Sequence, residues 1–68
     1  MNTAAIKKIF KKGTRVKLIH MAEDIHPIPD GTLGTVDNVD DIGTVHVDWD
    51  NGRRLGVVLD EDEIEVVD

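Results

Sequence analysis

The residues in this chain that could do chemistry are its acids and histidines, because it has no cysteine and no serine. Asp37, Asp40 and Asp41 crowd one short stretch, and Asp60, Glu61, Asp62 and Glu63 form an unbroken acidic run. A calcium loop of the EF-hand type needs alternating oxygen ligands, a central glycine and a bidentate Glu at its twelfth position. Neither cluster has that spacing. Paired carboxylates can serve acid–base catalysis only in a cleft that separates their pKa values. His20, His26 and His46 offer imidazole nitrogens for zinc, yet two fall on one irregular segment and the third within an alternating one. Gly31-Thr32-Leu33-Gly34 precedes no helix, so it cannot cradle a phosphate at a helix N-terminus. The expectation is a non-enzyme with no catalytic residues, no metal site and no cofactor.

The elements that must carry these residues follow from the spacing of the apolar ones. Between Thr3 and Lys12, Ile6, Ile9 and Phe10 recur at i, i+3, i+4, the stripe of one helical face. Thr3 suits the N-cap, and Gly13 suits the left-handed residue past the end. So short a helix forms only when its apolar face docks, which makes residues 1–12 a basic amphipathic cap on the rest. From Gly13 the period drops to 2. Val16 and Leu18 alternate with Arg15 and Lys17 in a first strand. His20 to Asp30 has no period and holds Pro27 and Pro29, which lack an N–H and exclude a central strand. Thr32 to Val39 resumes a strand, with Gly34 as the expected bend or bulge. Asp40-Asp41-Ile42-Gly43 is a turn, and Thr44 to Trp49 the cleanest strand, with Val45, Val47 and Trp49 on one face.

The next turn is fixed by register. A two-residue Asn51-Gly52 turn would place the apolar set of one strand on the same face as the polar set of the other. A three-residue loop, Asp50-Asn51-Gly52, instead pairs Trp49 with Arg53, Val47 with Leu55 and Val45 with Val57. Slipping by one residue inverts every side chain, so burial selects the second pairing, with Gly52 at positive φ and Asp48 facing Arg54. A fourth strand over Arg53 to Leu59, a single helical turn over Asp60 to Glu63, and a fifth strand from Ile64 to Val67 complete the chain. Ile64 and Val66 are expected inward. Five short strands, a long first loop and a turn before the last strand describe a mostly β fold: a five-stranded SH3-like barrel over residues 13–68 with a short N-terminal α-helix.

Several stretches also resemble a known family. Pro27-Ile28-Pro29, Gly31-Thr32, Gly34-Thr35-Val36, Val39-Asp40-Asp41-Ile42-Gly43 and His46-Val47-Asp48-Trp49-Asp50-Asn51-Gly52 resemble domain-of-unknown-function family 4314 over residues 10–66. The family comprises small bacterial proteins, often carried on conjugative or phage-like elements. The resemblance implies no catalytic residues. The sequence departs from the pattern at Asp30, where a second proline is expected, and near Leu59-Asp60, where a Pro-Gly turn is expected. The Trp-Asp-Asn-Gly hairpin is also similar to one in SH3-like repeats of certain eukaryotic ubiquitin ligases, a likeness that bears on fold alone.

Composition narrows the partner. The chain has 68 residues and a net charge of −6, and it has no apolar run of the roughly 18 residues a membrane-spanning helix needs. With no signal-peptide pattern, the expected compartment is the cytoplasm. The charge is divided. Lys7, Lys8, Lys11, Lys12, Arg15 and Lys17 precede residue 20 with no acid among them, while all fourteen acids follow against Arg53 and Arg54. A pI near 4.8 is the wrong sign for a duplex-binding domain. Aromatics are too few for a proline-motif groove or a stacking platform, with only Phe10 and Trp49 present. The favoured partner is therefore another protein, met by Met21, Ile25, His26 and Ile28 of the long loop together with Trp49 and Arg53 at the rim. Nucleic-acid binding through the six basic residues is the alternative. An acidic mimic of nucleic acid would need the carboxylates on one face.

Overall fold

The structure, a computed structural model, describes residues 2–22 and 25–67. Helix α1 spans Thr3–Ile9, and five strands follow: β1 Arg15–His20, β2 Leu33–Val39, β3 Val45–Trp49, β4 Arg54–Val57 and β5 Glu63–Val66. They form one antiparallel sheet in the order β4-β3-β2-β1-β5. The period-2 segments are strands because each has a face to bury. Val16 and Leu18 of β1, Val36 of β2, Val45, Val47 and Trp49 of β3 and Val57 of β4 are all buried. Ile6 from α1, Phe10 just past its end, and Met21 and Ile28 from the first loop complete that core.

The β3–β4 hairpin has the pairing that burial demands. Val45 faces Val57, Val47 faces Leu55 and Asp48 faces Arg54. The Trp49 N–H donates to Arg53 O at 2.8 Å, and Gly52 sits at φ 89°. Asp48 and Arg54 form an ion pair at 3.0 Å across the ladder.

Other local expectations are corrected. The helix cap is Asn2, whose Oδ1 accepts the Ala5 N–H at 2.8 Å, and Asn is at least as strong a cap as Thr. The helix stops at Ile9, well short of Lys12, because Phe10 leaves helical geometry at ψ 68° to bury its ring. Gly13 does adopt positive φ, but within the connection to β1, where its N–H donates to Val36 O. The extra residue of β2 is Asp37, since the ladder shifts between Val36 and Asn38. Gly34 serves another purpose: a Cβ there would lie 2.6 Å from Val47 Cγ1 and 2.8 Å from Trp49 Cε3. It is glycine so that β3 side chains can lie against its backbone.

The expected barrel is not closed. Among the described residues no ladder joins β4 to β5, and both are edges of an open sheet. β4 ends at Val57, two residues before the expected Leu59. The backbone that would have continued it forms a turn instead, with the Glu61 and Asp62 N–H groups both donating to Val58 O at 2.9 and 2.7 Å. Ile64 is half-buried against the core as expected, whereas Val66, on the same face, is exposed; among the described residues no strand pairs beyond β5.

Gly34→Ala tests the close approach. The new methyl has Asp48 O at 3.1 Å as well as the two side chains, so the strands must part. Overpacking of this kind costs about 1–3 kcal/mol. Chemical denaturation of the variant should show that loss, and unchanged stability would mean β3 does not lie on Gly34.

Candidate functional site

The sequence-predicted contact residues divide into two groups. Met21, Ile28 and Trp49 point into the core, with Ile28 only 1% exposed. The indole N–H of Trp49 donates to Leu55 O at 3.1 Å, so this tryptophan is a core residue that ties β3 to β4. Ile25 and His26 face outward, and Ile25 is 90% exposed. Arg53 lies between the two groups: half-buried, it donates from Nη1 to His26 O. The rim of the β3–β4 hairpin thus holds the middle of the first loop.

The ends of that loop are held too. At its start His20 Nδ1 lies 3.3 Å from Asp30 Oδ1. At its close the Gly31 N–H donates to Leu18 O at 2.7 Å, and the Thr32 hydroxyl donates to Pro29 O at 2.6 Å. The Ala22 N–H donates to Asp62 Oδ1 at 2.8 Å, and Asp62 Oδ2 accepts the Val58 N–H. Prolines prevent this segment from joining the sheet, and Ile28 buried between them fixes it to the core.

The six basic residues of the N-terminal stretch fall into different settings. Arg15 makes a two-bond fork to Asp50, at 2.9 and 2.6 Å, and a further bond to Thr35 Oγ1 at 2.8 Å. The hydrogen bond from Arg15 holds the Asp50 carboxyl below its ordinary value, and the same bond raises the guanidinium. Lys7 reaches Asp41 at 3.4 Å. Lys8, Lys11 and Lys12 are exposed and form no ion pair among the described residues. Lys17 stands opposite Glu65 in the β1–β5 ladder.

The histidines are separated, His20 beside Asp30 and His46 beside Asp40. Asp40 has a role that a metal-centred reading of the acids missed. Its Oδ1 accepts the Ile42 and Thr44 N–H groups at 3.1 and 3.0 Å, and its Oδ2 lies 2.8 Å from His46 Nε2. These partners, His46 first and then Thr44, depress its pKa below 3.8. The signal in the sequence was an Asp opening a four-residue turn that ends in glycine, the pattern of an Asx turn. Chemically, Asp40 is a hydrogen-bond acceptor spent on its own turn.

A family model described as a domain of unknown function (DUF4314) matches residues 2–67. No curated protein and no solved structure matches the chain.

The Asp40 turn predicts a pH dependence. A carboxyl whose folded pKa is depressed contributes stability that is complete above 3.8, its ordinary unfolded value, and is lost as pH falls through the lower folded value. Asp40→Asn keeps the acceptor for Ile42 and Thr44 but loses the charge beside His46. Denaturation curves across pH 2–7 should show wild type more stable than the variant near neutrality, with the gap closing below about pH 4. A gap independent of pH would rule the carboxylate out as its source.

Proposed function

The chain belongs to the DUF4314 family, a domain of unknown function, and on that premise we propose that it is a small non-enzymatic interaction module of SH3-like barrel type. Five antiparallel strands in the order β4-β3-β2-β1-β5, with a long first loop and a tight turn before β5, support that reading of the fold. A non-catalytic role is supported by the acids themselves. Asp40 and Asp50 are held ionised by partners, the opposite of the raised pKa a general acid needs. A setting on a bacterial mobile element rests on the family resemblance alone.

One observation carries the interaction reading: a fully presented isoleucine beside described loop residues that are tied down. Ile25 stands in solvent while Ile28, three residues on, is sealed in the core and Arg53 grips the intervening His26 carbonyl. A loop ordered before binding spends less conformational entropy on a partner. Burying an exposed isoleucine supplies about 1.5–3 kcal/mol in return. The contact surface is then Ile25, His26 and Arg53, with Met21, Ile28 and Trp49 beneath as its anchors.

Nucleic-acid binding is the second reading, supported by the exposed Lys8 of α1 and the exposed Lys11 and Lys12 that follow it. Against it, Arg15 and Lys7 already engage Asp50 and Asp41, so fewer than six cations face a phosphate backbone.

Two measurements separate these readings. In a pull-down from the native host, Ile25→Asp should lose the captured protein while the Lys7/Lys8/Lys11/Lys12 quadruple alanine variant keeps it. The opposite pattern would move function to the basic segment. Duplex DNA titrated against salt should then give a weak, flat response, whereas six phosphate contacts would give a log–log slope of about −5.

A further inference from the structure

β5 is an open edge with an apolar groove beside it. The Val67 N–H donates to Arg15 O at 2.9 Å, and the register pairs Lys17 with Glu65 and Val16 with Val66. Hydrogen-bonded and non-bonded pairs alternate in an antiparallel ladder, so residues 67 and 65 spend their backbone groups on β1. On the other side of β1, Leu18 and Thr14 bond to the β2 side, at Thr32 O and the Val36 N–H, which confirms the alternation. The backbone N–H and C=O groups of Ile64 and Val66 therefore face away from the sheet. Their side chains point to the same face as Val16 and Leu18, into a groove shared with Ile9, Phe10 and Leu59. Ile9 and Val66 remain 47% and 48% exposed there. On the opposite face the strand presents Glu65, and Glu63 borders one end of the groove beside Asp62; both glutamates are exposed.

The charges choose the occupant. A second copy pairing by the same edge would set Glu63 and Glu65 against their own kind, and each copy carries a net −6. Like charges directly opposite destabilise a ladder. The strand that β5 already accepts on its inner side is β1, Arg15-Val16-Lys17-Leu18, which alternates basic and apolar residues. Such a strand satisfies both faces at once, with lysine against glutamate and valine or leucine against the apolar side.

We infer that the outer edge of β5 receives an extended segment of a partner protein, one that alternates basic and apolar residues and adds a sixth strand to the sheet. Main-chain bonds to Ile64 and Val66 give affinity, and Glu63, Glu65 and the groove give selectivity. This surface is distinct from Ile25, His26 and Arg53, and stands without them.

The test uses a synthetic Val-Lys-Val-Lys-Val-Lys peptide on the full chain, followed by amide-resolved hydrogen exchange. The Ile64 and Val66 amides should gain protection, while those of β4 do not change. The same peptide N-methylated at alternate residues keeps its charge but cannot pair, and should bind about tenfold or more weakly. Glu63→Lys with Glu65→Lys, two exposed substitutions, should also weaken the unmodified peptide about tenfold. Equal binding of the methylated peptide, protection confined to other segments, or self-association through β5 in sedimentation would each overturn the inference.

Discussion

Most of this molecule's geometry depends on the contact of Trp49 with Gly34. The indole is nearly sealed from solvent, and no side chain larger than hydrogen fits beneath it. Its N–H reaches forward to Leu55 O, so one side chain fastens β3 to both neighbours. Because a one-residue slip inverts every side chain of a strand, this contact sets which residues of the hairpin fall at the rim. Asp50 lands where its carboxylate meets Arg15 and its N–H meets Leu33 O. Arg53 lands over the His26 carbonyl. The hairpin tip therefore positions the first loop and the start of β1 together.

What the sequence shows plainly is what burial enforces. The alternation of Val45, Val47 and Trp49 against Leu55 and Val57 has only one pairing that keeps a face dry, and Gly52 is the residue its turn needs. The first loop is legible as a loop because Pro27 and Pro29 cannot join a ladder. Which of its apolar side chains turn inward is not, since without a period neither face is marked. Met21 and Ile28 go in and Ile25 goes out, a division decided by chain geometry after the strands are placed. Asp37 as the bulge and Asn2 as the cap were hidden for a related reason. Gly34 and Thr3 carry the same local signals, and it is the contact of Trp49 with Gly34 and the reach of the Asn2 carboxamide to the Ala5 N–H that separate them. The open sheet is a further case: the Val58 carbonyl accepts the turn's N–H groups, a choice that no hydrophobic pattern records.

The uneven charge of the chain is used chiefly for placement. Arg15–Asp50 and Lys7–Asp41 are solvent-exposed pairs, the kind that contributes little to net stability. Their value is directional. A guanidinium fork fixes both partners in plane, and Thr35 Oγ1 adds a third fixed point for Arg15. Asp40 and Asp62 place the chain through its backbone: each gathers two backbone N–H groups, Ile42 and Thr44 for Asp40 and Ala22 and Val58 for Asp62. Acids outnumber bases, yet several of them are structural acceptors and not a free negative field.

An open five-stranded sheet has two edges, and a small domain must keep both from pairing indiscriminately. β4 meets this with brevity, with Arg54, and with Gly56, whose missing side chain leaves room for the Thr44 methyl at its back. β5 meets it with Glu63 and Glu65. A charge repels an identical strand but attracts one of opposite sign, so a device that prevents self-assembly is by the same physics a selector. The apolar groove beside β5 strengthens this double role. Fully closed against β4 it would be ordinary core; left open and flanked by glutamates, it rejects its own kind and admits strands patterned like β1.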